Sequence, residues 1–316
     1  MKYRRLGECG LKVSTISLGS WLTYGNAVDD AAGRECVRAA LDAGVNFFDT
    51  ADVYAKGAAE SFLGKALAGV RRSEIVLGTK VFGRMSDEVN DAGLSRKHIM
   101  ESCEASLRRL KVDYLDLYQC HRHDPETPMT EVVRAMDDLI RQGKILYWGV
   151  SCWDAETLRE ACETADRLLA PRPISNQPQY SLLQRDIEED VIPASSDLGI
   201  GQVVFSPLAQ GILTGKYLNG AIPADSRLAN DKLNKFMKDR VTDENLTRVK
   251  ALGELASELG TPLCCLALAW CLRTEAVSSV ITGATKPEQV RANCLAADLE
   301  LSDEALAQIQ TILETK

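Results

Sequence analysis

The sequence lacks the features that would place it among membrane or nucleic-acid-binding proteins. No apolar run reaches the roughly 20 residues that a membrane helix needs, and the basic N-terminus is not followed by the apolar stretch of a signal peptide. The 316 residues include 37 basic and 45 acidic side chains, a formal charge of −8, which gives no indication of a nucleic-acid-binding surface. We therefore expect neither a membrane nor a nucleic-acid partner.

Metal-binding and disulfide motifs are lacking as well. The chain has only three histidines, and it contains no CxxC and no HExxH sequence. His121 and His123 stand close together, but two histidines without a third ligand make a weak metal site. The ten cysteines are scattered, mostly in apolar contexts, which is typical of a reducing compartment. We expect a cytoplasmic protein without a bound metal.

The chain does contain a regular alternation of short β-branched runs and longer helical patterns. Eight candidate strands lie at residues 13–18, 45–48, 75–78, 114–118, 145–150, 174–175, 201–205 and 278–281. Most begin about 30 residues apart, which is the length of one strand–helix unit. Because no composition break or long linker interrupts them, we expect one α/β domain over residues 1–316, a (β/α)8 TIM barrel. The alternative, a doubly wound open sheet, lacks a GxGxxG motif after any strand.

Helical patterns fill the intervals between the candidate strands. They lie at residues 30–43, 95–110, 128–142, 154–165, 188–198, 244–259, 261–272 and 285–295, the last opening on a capping box from Thr285 to Glu288. Two stretches depart from the repeat. Residues 1–12 predict a β-hairpin that closes one barrel end, and residues 210–240 form a long loop of the kind that is usually functional.

An acid, a lysine and a histidine stand at the ends of three successive strands. Asp49, Lys80 and His121 follow candidate strands two, three and four, and Tyr54 comes five residues after Asp49. Barrel enzymes carry their chemistry at the carboxyl ends of neighbouring strands, which lie about 5 Å apart. We therefore expect the four side chains to converge. An ammonium group near a phenol lowers its pKa, so Lys80 would make Tyr54 a better acid. His121 would either bond to a substrate carbonyl or relay a proton.

Each of these residues also has a simpler interpretation. Tyr54 alone would usually be a surface anchor, and Asp49 could cap the next segment. Lys80 is harder to dismiss, because a lysine at the end of an apolar strand is costly unless it is paired. A barrel aldolase or isomerase with Lys80 as a Schiff base is another possibility, but it leaves Tyr54 without a role.

Several segments match one enzyme family in order and spacing. They are residues 44–54 (GVNFFDTADVY), 79–80, 117–121, 149–151, 176–177, 206–208 and 286–293. On these motifs the whole chain resembles the aldo-keto reductase family. The motifs at residues 19–21, 206–211 and 215–217 resemble the branch that contains bacterial general aldo-keto reductases and potassium-channel β subunits.

The resemblance implies an NADP-dependent reductase of aldehydes or ketones, with a small-molecule carbonyl as substrate. Tyr54 would be the general acid, and Asp49, Lys80 and His121 would complete a catalytic tetrad. The alternative is an NADPH-binding regulatory or sensor subunit with little turnover. Unlike the channel β subunits, which substitute the histidine, this chain keeps His121, which favours catalysis. The sequence does not identify the substrate, and it does not show whether the protein forms a homo-oligomer.

The resemblance also implies a set of cofactor-binding residues. They are Trp21, Asp49, Ser151, Asn176, Gln177, Phe205, Ser206, Pro207, Leu208, Gln210, Gly211, Lys216, Arg227, Gly283, Thr285, Gln289 and Asn293, with the 210–240 loop covering the cofactor. Lys216 and Arg227 would contact the 2′-phosphate of NADP. Without the resemblance, it is equally reasonable to interpret them as two solvent-exposed charges of a loop. Ala292 and the residues around Gly283 depart from the family pattern, which leaves NAD as an alternative cofactor.

Overall fold

The computed structural model describes residues 1–25, 28–218, 222–223, 226–230, 234 and 240–314. Its strands, in chain order, are β1 (Tyr3–Arg5), β2 (Lys12–Ser14), β3 (Ile16–Gly19), β4 (Phe47–Asp49), β5 (Val76–Val81), β6 (Leu115–Cys120), β7 (Ile145–Val150), β8 (Ser175–Asn176), β9 (Gly201–Phe205) and β10 (Val277–Thr282). Strands β3 to β10 pair in parallel and close into a barrel, because β10 bonds to both β9 and β3. The predicted (β/α)8 TIM barrel is confirmed.

Helices surround this barrel. They are α1 (Asp30–Asp42), α2 (Ala58–Ala66), α3 (Arg96–Leu110), α4 (Met129–Arg141), α5 (Ala155–Leu168), α6 (Val191–Asp197), α7 (Asp243–Glu258), α8 (Leu263–Cys271), α9 (Pro287–Leu295) and α10 (Asp303–Glu314). Residues Cys265–Cys271 of α8 are all buried, as its nearly continuous apolar sequence predicts. Between the helices and the strands lie two large apolar clusters, one on each side of the barrel.

The N-terminal hairpin closes the end of the barrel at which the strands begin. β1 and β2 pair antiparallel, and the apolar side chains of Leu6 and Val13 join a buried cluster inside the barrel with Phe47 and Leu117. Gly7 has φ +64°, and a Cβ there would lie 2.3 Å from the carbonyl oxygen of Gly199. Only glycine allows this close approach. The opposite end, where the strands finish, is left for the functional loops.

The element boundaries differ from the sequence prediction in a few places. The strand predicted at 13–18 is two strands, because the N–H of Thr15 donates to Lys2 while its carbonyl accepts from Val280 of the barrel. Helices α2 and α10 were not predicted; α2 has only nine residues, three of them alanine. The predicted capping box is wrong: Lys286 is the N-cap residue of α9, and it makes no side-chain capping bond.

Candidate active site

The four candidate catalytic residues lie at the ends of three neighbouring strands, or directly after them, and in the loop between two of them. Asp49 is the last residue of β4, Lys80 is the penultimate residue of β5, and His121 follows directly after β6. Tyr54 begins a short 3-10 turn in the loop after β4. Because β4, β5 and β6 are adjacent in the barrel, these side chains meet at one place in its mouth.

Lys80 is the centre of this group. Its Nζ donates to Asp49 Oδ2 at 2.6 Å, to the carbonyl oxygen of Thr50 at 2.7 Å and to Tyr54 Oη at 3.3 Å. His121 Nε2 lies 3.5 Å from the same Tyr54 oxygen. Lys80 and Asp49 are buried, whereas Tyr54 and His121 are half-buried. The hydroxyl group of Tyr54 therefore stands between a buried ammonium group and an imidazole at the edge of the mouth.

The pKa of Tyr54 differs in direction from the sequence expectation. Burial raises the pKa of the phenol, and the Lys80 ammonium, which lowers it, does not fully offset the burial. The expected net lowering is therefore wrong for the protein on its own. The proton is held on Tyr54 at neutral pH, which is the state that a general acid needs.

Lys80 and His121 have pKa shifts that fix their charges. Burial alone would lower the pKa of Lys80, but the Asp49 carboxylate and the Tyr54 hydroxyl group outweigh it, and the net pKa is raised. Burial, followed by the positive charges of Lys80 and Arg122, holds the pKa of His121 well below its usual value. At neutral pH the site therefore holds a charged lysine and a neutral histidine.

The predicted carboxamide-binding residues line the mouth on the side of β7 and β8. Ser151 Oγ donates to the carbonyl oxygen of Gln177 at 2.8 Å, and Gln177 Nε2 donates to Asp49 Oδ1 at 2.8 Å. Asn176 differs from this pair, because its side-chain amide bonds to both the N–H and the carbonyl of Trp153. Gln177 is thus tied directly to the catalytic group and Ser151 only through the backbone of Gln177, whereas the polar atoms of Asn176 are engaged by the backbone of Trp153.

Aromatic rings form another wall of the mouth. Trp21, in the loop after β3, packs edge-to-face on Phe205, the last residue of β9, with ring centroids 6.4 Å apart. Both rings are partly exposed. Flat, partly exposed aromatic surfaces at the end of a barrel suit a planar ring such as a nicotinamide.

The segment after β9 has a backbone suited to anions. Ser206, Ala209 and Gln210 have φ values of 56°, 46° and 60°, and Gly211 has 100°. Left-handed turns of this kind can direct N–H groups toward phosphate oxygens. In this structure the N–H groups of Ala209 and Gly211 already donate to the carbonyl oxygens of Ser206 and Leu208. Pro207 and Leu208 connect Ser206 to Ala209. Gln210 Nε2 donates a hydrogen bond to Ser206 Oγ at 2.7 Å.

Lys216 lies next to this segment. A Cβ added to Gly211 would lie 3.1 Å from Lys216 Nζ, so the ammonium group is close to the backbone of the anion-suited turn. The side chain of Lys216 is exposed. The side chain of Arg227 lies outside the described residues, and so do residues 219–221, 224–225, 231–233 and 235–239 of the 210–240 loop, so the covering of a cofactor by this loop stays a prediction.

The last group of predicted residues surrounds the start of α9, beyond the end of β10. Gly283, Thr285 and Gln289 are exposed, and Asn293 is buried on the same helix. Gln289 Oε1 accepts from both the N–H and the hydroxyl group of Thr285. The N-terminus of α9 carries a partial positive charge that favours a phosphate nearby.

Two residues of the mouth were missed by the sequence analysis. Arg122 Nη1 donates to the carbonyl oxygen of His121 at 2.5 Å and lies 3.4 Å from Ser151 Oγ. Gln119 Nε2 lies 3.5 Å from Asp49 Oδ1. Strand periodicity could have found Gln119, because residues 119 and 121 project from the same face of the chain.

Within the described ranges, no cluster of three or more histidine, cysteine or acidic side chains could hold a metal ion. Nor does any single described helix have both the length and the apolar composition to cross a membrane. The pair formed by α7 and α8 meets those two criteria together, but it is bent by 97°.

Comparisons with known proteins agree with this geometry. The model of the Aldo/keto reductase family matches residues 15–314. An Arabidopsis thaliana protein and an Oryza sativa subsp. japonica protein are each 45% identical over 321 residues, covering 100% of this chain and 98% of theirs. A Schizosaccharomyces pombe protein is 44% identical over 98% of this chain and 93% of its own. All three are named as voltage-gated potassium channel β subunits, with the name given as probable or provisional.

Proposed function

Because the chain belongs to the aldo/keto reductase family, we propose that it is an NADP-dependent reductase that converts aldehydes or ketones to alcohols. One observation carries this proposal: Lys80 Nζ and His121 Nε2 lie 3.3 Å and 3.5 Å from the same Tyr54 oxygen. An ammonium group and a neutral imidazole around one protonated phenol form an acid suited to a carbonyl oxygen.

The residues of the mouth fit a nicotinamide dinucleotide. The donor set has the required chemistry: Ser151 and Gln177 for a carboxamide, the left-handed turn around Gly211 for a pyrophosphate, and Lys216 for an extra phosphate. When bound there, the cofactor would supply the hydride for reduction. NADP is favoured over NAD because of Lys216, with Arg227 as its proposed companion.

The protein's own side chains would supply the proton and stabilise the charge that its transfer leaves behind. Tyr54 Oη would donate its proton to the carbonyl oxygen as negative charge develops on that oxygen. The phenolate left behind would be stabilised by Lys80, which Asp49 holds charged and in place. His121, being neutral, would donate a hydrogen bond to the same carbonyl oxygen and orient it without competing for the proton.

Replacing the acid tests the proposal. We expect Tyr54→Phe to lose nearly all NADPH-dependent reduction of a panel of aldehydes while retaining NADPH binding in a fluorescence titration. Tyr3→Phe is the matched control, because Tyr3 is half-exposed in the hairpin at the other end of the barrel. A Tyr54→Phe protein that reduces aldehydes as fast as the wild type would contradict the assignment of Tyr54 as the acid.

The names of the relatives favour a second candidate function. They favour a β subunit that docks onto a potassium channel. In that case we propose that the site would bind NADPH and sense its redox state with little turnover. The same site would then bind the cofactor and respond to its redox state without oxidising it in repeated turnover. Tight NADPH binding without turnover on any aldehyde, together with co-purification with a channel, would favour this second function. The His121 imidazole beside Tyr54 favours the reductase.

A further inference from the structure

The loop that carries Tyr54 has an unfavourable backbone. Ala55 and Lys56, which follow it directly, have φ/ψ values of 48°/36° and 53°/45°. Left-handed conformations cost non-glycine residues about 1–2 kcal/mol each, so the loop does not adopt this shape by local preference. Contacts elsewhere must hold the loop, and through it the position of the Tyr54 hydroxyl group.

Asp52 holds the loop on the N-terminal side of Tyr54. Its side chain is fully buried. Oδ1 accepts the N–H of Val53 at 2.6 Å, and Oδ2 accepts the hydroxyl group of Ser102 in α3 at 3.0 Å. The N–H of Asp52 donates to the carbonyl oxygen of Lys80 at 3.2 Å. This one residue therefore links the loop to a helix and to the strand that carries the catalytic lysine.

An ion pair holds the loop on the C-terminal side. Glu60 is fully buried and accepts from Arg109 Nε at 2.5 Å and from Thr79 Oγ1 at 2.6 Å. Gly57, with φ +85°, packs against Arg109 so closely that a Cβ would lie 2.6 Å from Arg109 Cδ. Arg109, like Ser102, belongs to α3, so both ends of the loop are fixed to one helix.

We propose that Asp52 is a positioning residue for Tyr54, and that Asp52, Ser102, Glu60 and Arg109 together form a clamp that holds the catalytic loop against α3. The inference deepens the proposed reductase function. None of the four touches the reacting atoms in the role proposed here; they act by fixing the distance from Tyr54 Oη to Lys80 and His121. Their loss should lower kcat more than cofactor affinity, because the acid would be misplaced.

The charges around Asp52 give the clamp a dependence on pH. Asp52 faces the Glu60 carboxylate from α2, the Arg109 guanidinium from α3 and the Tyr118 phenol from β6. Burial, and then Glu60, raise the pKa of Asp52 to about 7, against the opposing effects of Ser102, Val53 and Arg109. Ionised Asp52 adds a second buried negative charge beside Glu60, which favours loop conformations that expose it. Positioning should therefore weaken as pH rises through about 7.

Three variants distinguish a role of Asp52 in positioning Tyr54 from a role in the stability of the fold alone. We expect Asp52→Ala to lower kcat by at least about tenfold, with the Kd for NADPH changed less than about threefold. Asp52→Asn, which keeps the shape but cannot titrate, should retain kcat at pH 6 and lack the inflection near pH 7. Ser102→Ala should shift kcat in the direction of Asp52→Ala by a smaller factor. Asp166→Asn, an exposed aspartate on α5, is the control.

A readout without turnover tests the position of Tyr54 directly. The protein has eight tyrosines, so 3-fluorotyrosine labelling gives eight 19F resonances, of which Tyr54→Phe identifies one. That resonance should move with pH around 7 in the wild type and stay fixed in Asp52→Asn. An unchanged inflection in Asp52→Asn, or a folded Asp52→Ala with wild-type kcat and an unshifted resonance, would overturn the positioning role. Because the resonance is read without substrate, it tests the clamp even if no carbonyl is reduced and the reductase proposal fails.

Discussion

Replacing Lys80 by methionine removes the positive charge beside Tyr54 with little change in side-chain volume. At the observed 3.3 Å, an ammonium group stabilises a phenolate by about 5 kcal/mol at an effective dielectric constant of about 20. Part of that energy is already present in the hydrogen bond to the neutral phenol, so we take about 3–4 kcal/mol as the loss in the transition state. This corresponds to a fall in kcat of about 10²- to 10³-fold.

The same substitution leaves the buried Asp49 carboxylate without its cation. Breaking a buried ion pair in this way costs about 3–5 kcal/mol of folding free energy, so Lys80→Met alone could lose activity by unfolding. We therefore pair it with Asp49→Asn/Lys80→Met, in which no unpaired buried carboxylate remains. Thermal melts should show the double variant to be more stable than the single one, while NADPH consumption with an aldehyde stays low in both.

Steady-state kcat, NADPH affinity by fluorescence and the melting temperature are measured together for the three proteins. We expect folded, cofactor-binding variants with a kcat at least about 100-fold below that of the wild type. A folded Lys80→Met protein that keeps its kcat within a few-fold of the wild type would refute the electrostatic role given to this lysine.

Three further outcomes are expected from other parts of the structure. Lys216→Ala should weaken NADPH binding about tenfold or more and leave NADH binding nearly unchanged in a fluorescence titration, and equal losses would contradict the 2′-phosphate assignment. Asp52→Asn should match the wild-type stability in urea at pH 4 and exceed it by up to about 4 kcal/mol at pH 8, because a carboxyl group with a raised folded pKa loses its stabilising contribution as pH rises from 3.8 through about 7; a constant difference would contradict it. Arg273→Ala should lower the stability by about 1–2 kcal/mol, since the guanidinium lies 3.8 Å from the Trp270 ring centroid and pairs with Glu188, and a loss below about 0.5 kcal/mol would contradict that role.

The barrel was predictable because its signal is repeated. Each strand–helix unit gives a short β-branched run and a longer amphipathic pattern. Because the pattern occurs eight times, the barrel can be recognised even where a single unit is assigned wrongly. The strand at 145–150 was predicted to the residue. Where a unit is weak, the prediction failed: α2 has few large apolar side chains, and α10 lies beyond the eighth unit.

The candidate site was predictable where its residues stand at strand ends. Parallel strands bring their carboxyl ends together, so Asp49, Lys80 and His121 could be placed side by side from order alone. Arg122 was missed because it lies in a loop, where periodicity gives no direction. Asp52 and Glu60 were missed because burial of a carboxylate depends on partners in α3 that are distant in sequence.

The sign of the Tyr54 shift could not be predicted either. A nearby lysine indicates a lowered pKa, and that contribution is present in the structure. The opposing effect of burial depends on how the loop folds over the phenol, which no short-range pattern records. Charge neighbours can therefore be inferred from a sequence of this kind more safely than net pKa shifts.

The most direct test of the proposed chemistry follows the hydride itself. Purified protein is given NADPH carrying deuterium at C4 of the nicotinamide, in each of its two stereochemical forms, with an aldehyde, and the alcohol is analysed by mass spectrometry. We predict that the alcohol from one of the two forms carries one deuterium on its carbinol carbon, and that Tyr54→Phe yields almost no alcohol. Alcohol without deuterium from either form, or no alcohol from any aldehyde despite bound NADPH, would contradict the reductase proposal.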